Sequence, residues 1–197
     1  MIREPIKLGV TGSIGMGKTT IARELGKFDH PIWEADVAVH SLYKKGKTGY
    51  NIIKKLVPEA TYKKNVNRNI LADVILKKPL LLKQINTLIH PLINLDREKF
   101  INRNKNKKLL VFDIPLLFEN SHERWLDKVV VATAPFIVQK KRVLARYKMT
   151  EEKFYHILSE QISNEAKIKK ADYTIDTNTS FEILSKKIAN LLHEIIP

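Results

Sequence analysis

The segment Gly12-Ser13-Ile14-Gly15-Met16-Gly17-Lys18-Thr19 satisfies the pattern G-x-x-x-x-G-K-[ST] at every fixed position. Each residue type has a physical task. The glycines let the backbone curl so that successive amide N–H groups point at phosphate oxygens, and the helix that starts near Lys18 adds the positive end of its dipole. Lys18 reaches the β and γ phosphates, and the Thr19 hydroxyl is a magnesium ligand. The loop sits between an apolar stretch (6–10) and a helical pattern through Ile21, Ala22 and Leu25, the strand-loop-helix setting the motif requires. A chain bearing it is expected to bind phosphate groups.

Phosphoryl transfer to an alcohol needs a carboxylate that orients the hydroxyl and takes its proton. Asp36, just past a second short apolar stretch (31–33), fits that task, with Glu34 as the alternate. In a parallel sheet the carboxyl ends of the strands converge on the ligand crevice. Asp113 closes the apolar run Leu109-Leu110-Val111-Phe112 and is placed to hold the magnesium shell from a neighbouring strand end. Arg142 and Arg146, four apart, are expected on one helix face, with Gln139 a turn earlier. Their planar forks suit a transferring phosphoryl group. His90 with Pro91 lies on an apolar helical stretch and on its own reads as a packed or capping histidine.

These residues need a scaffold. Apolar runs at 6–10, 31–33, 109–114, 128–132 and 173–175 give five candidate strands. Helical patterns at 137–145, 151–164 and 181–192 separate the later ones, the last preceded by a capping box of Thr179 and Glu182. Alternating strands and helices without tight hairpin signals predict a parallel sheet covered on both faces. Residues 37–107 break the alternation. They show helical periodicity (Ile52, Ile53, Leu56; Leu80, Leu81, Ile85, Leu88, Ile89) and almost no strand signal, so they read as a helical insertion after the second strand that holds the second substrate.

Composition bounds the rest. The 197 residues contain no cysteine, which excludes a disulfide scaffold, a Cys-ligated zinc site and thiol catalysis. No apolar stretch approaches the roughly 20 residues of a bilayer span, and residues 1–5 lead into too short an apolar segment for a secretory leader. A cytoplasmic protein is expected, with no membrane partner. The formal net charge of +14 suggests a polyanionic partner, but 27 of the 35 basic residues are Lys, and Lys, Ile and Asn together make up 63 of the 197 residues. That is a compositional bias. The lysines are scattered in pairs such as Lys44 and Lys45, Lys63 and Lys64, Lys107 and Lys108, so they read as a solvated surface and no nucleic-acid partner is expected. An N-K-x-D segment for guanine is missing, and a motor would be larger, which leaves a small kinase of the nucleotide-kinase type. A nucleoside or nucleotide kinase and a nucleic-acid-binding ATP switch are the competing readings.

The ordered set of blocks narrows this. Val10 to Thr20, then Glu34-Ala35-Asp36, Asn67-Arg68 with Leu71, Ile89-His90-Pro91-Leu92-Ile93, Asp113-Ile114-Pro115-Leu116-Leu117-Phe118-Glu119, Gln139 with Arg142 and Arg146, Gln161, and Ala171-Asp172-Tyr173 followed by Asn178 resemble the dephospho-coenzyme A kinase family. The P-L-L-F-E and I-H-P blocks are specific to it among P-loop kinases. The resemblance implies ATP-dependent phosphorylation of the 3′-hydroxyl of dephospho-CoA ribose with magnesium, in a monomer or weak homo-oligomer. It implies an α/β, three-layer P-loop kinase fold with a five-stranded parallel sheet. The core would be about 1–36, 108–139 and 171–197, the helical CoA-binding insert about 37–107 and the small helical lid about 140–170. Asp36 would be the base, with Lys18 and Arg142 assisting. Gly12, Ser13, Ile14, Gly15, Met16, Gly17, Lys18, Thr19, Thr20, Arg142, Arg146 and Asn178 would bind ATP, Thr19 and Asp113 the metal, and Arg68, His90, Leu116, Leu117 and Glu119 the acceptor together with Asp36. Four departures stand out: Ser13 where a second glycine is usual, Met16 where serine is common, Glu34 for the first Asp of D-A-D, and Val57-Pro58 for a Phe-Gly pair. The Ser13 and Met16 positions are expected to contribute mainly backbone.

Overall fold

The computed structural model describes residues 4–62 and 65–196; residues 1–3, the Lys63 and Lys64 pair and Pro197 lie outside them. From the amino end, β1 (Ile6–Thr11), α1 (Lys18–Lys27) and β2 (Ile32–Glu34) are followed by α2 (Ala35–Leu42), α3 (Thr48–Leu56), β3 (Thr61–Tyr62), β4 (Asn65–Val66), α4 (Arg68–Lys77) and α5 (Pro79–Arg103). The chain then returns as β5 (Leu109–Asp113), β6 (Lys128–Thr133), α6 (Phe136–Leu144), α7 (Glu151–Ser159), α8 (Asn164–Lys170), β7 (Tyr173–Asp176) and α9 (Phe181–Ile195). Two compact units result, one running to Trp33 and resuming at Asn104, the other Glu34–Arg103.

The first unit is built on a five-stranded parallel sheet of order β2-β5-β1-β6-β7. Leu8 sits opposite Val111, Val10 opposite Asp113 and Val130, and Thr133 opposite Asp176. All five residues of β5 are buried, as the continuous apolar run requires of a strand covered on both faces. Leu8, Val10, Leu109, Val111, Val130 and Ala132 meet Ile21 and Leu25 of α1 and the α9 stripe Leu184, Ile188, Leu191, Leu192 and Ile195. That stripe recurs at the spacing of one helical face, and each such side chain gains about 1.5–3 kcal/mol on burial. Phe112 points the other way, 6.1 Å from Trp33 and 5.0 Å, edge-on, from Trp125.

Boundaries differ from expectation in three places. The single helix expected over 151–164 is two: α7 stops at Ser159, and α8 restarts behind Ser163, whose hydroxyl accepts the Ala166 N–H at 3.1 Å. The residues between them serve the site instead of a helix. Ser180, and not Thr179, caps α9, accepting the Ile183 N–H at 3.4 Å. The second unit also contains the small antiparallel pair β3 and β4, too short for an apolar alternation to register.

The core of the second unit joins Tyr43, Tyr50, Ile53, Val57, Leu71, Ile85 and Ile89. Val57, one of the departures noted above, is only 1% exposed and packs there. Asn67 starts α4 by accepting the N–H groups of Asn69 and Ile70 at 3.1 and 3.2 Å.

A polar contact joins α1 to α9 in the helical layer of the first unit. Glu24 of α1 is buried, bonded to Lys27 and to the Ser185 hydroxyl of α9 at 2.7 Å. The Lys27 ammonium first, and the Ser185 hydroxyl next, hold its carboxyl below the ordinary glutamate value. A carboxyl lowered by folding stabilises the fold fully above its unfolded pKa of about 4.3 and loses that contribution as pH falls through the folded value. Ser185→Ala is expected to lower the unfolding free energy by about 1 kcal/mol at pH 7, and the difference from the unmodified chain should shrink in urea titrations taken below about pH 4.

Candidate active site

The loop between β1 and α1 makes a turn in which Met16 N–H donates to Ser13 O at 3.1 Å. Gly15 and Gly17 follow at φ 79° and 87°, a conformation L side chains rarely adopt. Space forbids a side chain as well: a Cβ on Gly15 would lie 2.5 Å from Val143 Cγ2, and one on Gly17 2.7 Å from Thr177 Oγ1. The Gly17 carbonyl accepts the N–H groups of Thr20 and Ile21, so α1 starts at Lys18. Among the described residues the N–H groups of Gly15, Gly17, Lys18 and Thr19 have no protein acceptor, leaving a concave row of donors at a helix N-terminus.

Lys18 is paired with Asp113, the last residue of β5. The register of Val10 against Asp113 delivers the carboxylate to the strand end from which the loop departs. The two side chains are 16% and 4% exposed, so the pair is held in a medium where its attraction is strong and loss of one partner is costly.

Side chains from later parts of the chain hold the loop from outside. Gln139 of α6, 2% exposed, donates from Nε2 to Ile14 O at 2.7 Å. Gln161, between α7 and α8, accepts the Ile14 N–H at 3.1 Å. Thr177, just past β7, reaches Met16 O at 2.8 Å through its hydroxyl, with Thr133 O at 3.2 Å as the alternate acceptor. Arg142 grips Thr177 in turn, Nη1 donating to the hydroxyl at 2.8 Å and Nη2 to the carbonyl at 2.9 Å. Neither Thr177 nor its connection to the loop was signalled by the sequence, beyond its place at the carboxyl end of a strand.

The two arginines do not share a helix face. α6 ends at Leu144, so Arg146 lies in the turn beyond it and is exposed, while Arg142 is held by Thr177. Met16 is also more than backbone: its side chain is 3% exposed within the core of the sheet unit. Ser13 is buried too, and Thr19 and Thr20 lie on the first turn of α1, Thr19 exposed.

On the same unit, Glu119 accepts the Ile162 N–H at 3.1 Å and the ammonium of Lys167 at 2.6 Å. Lys167 is fully buried, an exception to a lysine population read as solvated. Leu117 is fully buried, Leu116 is exposed, and Asn178 is exposed beside its backbone bond to Asp176. In the second unit Asp36 occupies the first turn of α2, Arg68 opens α4, and His90 precedes Pro91 inside α5. All three are exposed. His90 also borders an open cavity of about 510 Å³ along α5, with Asn86, Thr87 and Asn94.

A triphosphate cradle of this form serves many kinases, so family membership rests on the whole chain. Residues 6–182 match the family model described as dephospho-CoA kinase. The chain belongs to that family. It is 39% identical to the dephospho-CoA kinase of Novosphingobium aromaticivorans over 97% of this chain and 95% of that one. A crystal structure from Thermus thermophilus superimposes with TM-score 0.87 at 28% identity, covering 99% of this chain and 100% of the other. The dephospho-CoA kinase of Campylobacter jejuni does so with TM-score 0.65 at 25% identity, covering 96% and 97%. Family membership makes the chain a transferase of the kinase type that uses ATP. No helix of the described residues is long and apolar enough to cross a membrane.

ATP binding at the loop predicts a ligand-dependent rise in thermal stability, since a ligand that binds only the folded state stabilises it by mass action. Fluorimetric melting with and without ATP should show that rise in the unmodified chain and lose most of it in Lys18→Ala.

Proposed function

We propose that the chain transfers the γ-phosphate of ATP to the 3′-hydroxyl of the dephospho-CoA ribose, the last step of coenzyme A synthesis. The observation that carries this reading is the set of unpaired amides of Gly15, Gly17, Lys18 and Thr19 beside the Lys18 and Asp113 side chains, in a chain that matches the dephospho-CoA kinase family over nearly its whole length. The segment Gly12 to Thr20 cradles the phosphates. Lys18 leaves Asp113 to meet the β and γ oxygens, where its charge offsets the negative charge of the transferring group. Arg146, exposed and without a side-chain partner among the described residues, reaches the same group, with Arg142 behind it. Asn178 lies on the adenine side.

Thr19 and Asp113 offer a hydroxyl and a carboxylate, the hard oxygen donors magnesium prefers. Magnesium is commonly held by one or two protein oxygens together with substrate phosphates. Magnesium bound there supplies further neutralisation of the phosphate charge.

Asp36 accepts the proton of the 3′-hydroxyl as its oxygen bonds to the γ-phosphorus and the bond to the β–γ bridging oxygen breaks, releasing ADP. Its position supports the role: two residues after β2 ends at Glu34, the chain has just left the carboxyl edge of the sheet, where β1 also hands over to the phosphate loop. Arg68, His90, Leu116 and Glu119 belong to the acceptor side; Leu117, expected with them, is fully buried and packs the segment that carries Leu116. The domain roles follow: 37–107 receives the CoA moiety and 140–170 acts as the lid.

A coupled ADP-release assay tests the specificity. Turnover should require dephospho-CoA; equal or faster turnover with a nucleoside monophosphate would replace this reading with a nucleotide kinase. Asp36→Asn is expected to reduce kcat by about 10²- to 10⁴-fold while the ATP dissociation constant stays within about twofold, because the base acts on the acceptor alone. Full activity in that variant would remove Asp36 from the mechanism.

A further inference from the structure

Amide and carbonyl are geometrically linked across a peptide bond. In a trans peptide the C=O of one residue and the N–H of the next point in opposite directions. The carbonyl held by Gln139 belongs to Ile14, whose peptide partner is the N–H of Gly15; the carbonyl held by Thr177 belongs to Met16, whose peptide partner is the N–H of Gly17. Both of those N–H groups lack a protein acceptor among the described residues. Gly15 and Gly17, at positive φ and with no side chain, have wide rotational freedom. Among the described residues, no hydrogen bond from within the loop holds either of these two peptides.

We propose that Gln139 and Thr177 are positioning residues that aim the Gly15 and Gly17 amides at the anion by anchoring the carbonyls on the reverse side of the same two peptides. The anchors are themselves fixed. Gln139 is buried on α6, and the Thr177 hydroxyl is bracketed by the Arg142 guanidinium, whose second nitrogen holds the Thr177 carbonyl. With Arg142 donating to it, the hydroxyl directs its own hydrogen at a carbonyl, and Met16 O at 2.8 Å is nearer than Thr133 O at 3.2 Å. Arg142 thereby acts on the nucleotide through Thr177 and the loop. Gln161 completes the frame by accepting the Ile14 N–H, which keeps the preceding peptide turned outward.

This rests on the reading of the loop as the ATP site, and the experiment separates the two. Calorimetric titration of ATP in magnesium buffer and, separately, of dephospho-CoA is carried out on the unmodified chain, Thr177→Val, Thr177→Ser and Gln139→Met, with melting temperatures recorded for each. If the unmodified chain binds no ATP, the loop reading itself fails. If it binds, Thr177→Val and Gln139→Met should each weaken ATP about tenfold, as loss of one anchoring bond implies, and leave dephospho-CoA affinity unchanged. Thr177→Ser, which keeps the hydroxyl, should restore ATP affinity to within about twofold. The proposal is overturned by unmodified ATP affinity in folded Thr177→Val and Gln139→Met, by equal losses for both ligands, or by failure of the serine variant to rescue. Loss of folding in both Thr177→Val and Gln139→Met would assign the contacts to stability and overturn it equally.

Discussion

A loop that binds an anion through its backbone must leave its amides unpaired and yet hold them still. Those two demands conflict, because unpaired peptide groups are the ones free to turn. The conflict is resolved on the reverse side of each peptide, where carbonyls find fixed partners: Ile14 O on Gln139, Met16 O on Thr177, Gly17 O on the first turn of α1. Much of the sheet unit can be understood from that requirement. β7 must end where Thr177 can reach Met16, α6 must bury Gln139, and the chain must break between α7 and α8 so that Gln161 can turn inward.

Electrostatics follow the same economy of position. The Lys18 ammonium, largely shielded from water beside the loop, is paired with Asp113, which the register places at the neighbouring strand end. The second buried pair, Glu119 with Lys167, ties the segment after β5 to α8, and the Ile162 N–H joins the same carboxylate next to Gln161. A single short stretch therefore touches both the phosphate loop and the P-L-L-F-E segment. The break that ends α7 at Ser159 creates this junction, since a continuous helix would have used the Ile162 N–H internally.

Legibility in the sequence tracked the range of the interactions involved. The strand-loop-helix at Ile6–Lys27 could be read because its apolar run, glycines and helical spacing lie within one short window, and β5 because five consecutive apolar or strand-end residues announce a buried strand. The apolar stripe of α9 was legible for the same reason, while its cap fell one residue later, on Ser180, since Thr179 and Ser180 are chemically equivalent candidates and only backbone geometry separates them. Arg146 was assigned to a helix that had ended at Leu144, because residues on either side of a helix end without Gly or Pro carry no local stop signal. The Met16 position suggests mainly a backbone contribution, since nothing nearby in sequence says that its side chain joins the core cluster that contains Leu8, Ile21 and Ile188.

What the sequence determined by itself is the local chemistry: a phosphate loop at Gly12–Thr19, an acid closing an apolar strand, a helical insertion after β2, and the ordered blocks by which the family is known. Each depends on residues a few positions apart, or on their order along the chain, and both are written in the sequence directly. Only the tertiary structure decided which side chains hold the loop, because those bonds span 125 residues for Gln139, 147 for Gln161 and 161 for Thr177. At such separations no periodicity links the partners. Their meeting is set by the strand order of the sheet, which brings the carboxyl end of β7 and the start of α6 to the place where β1 ends.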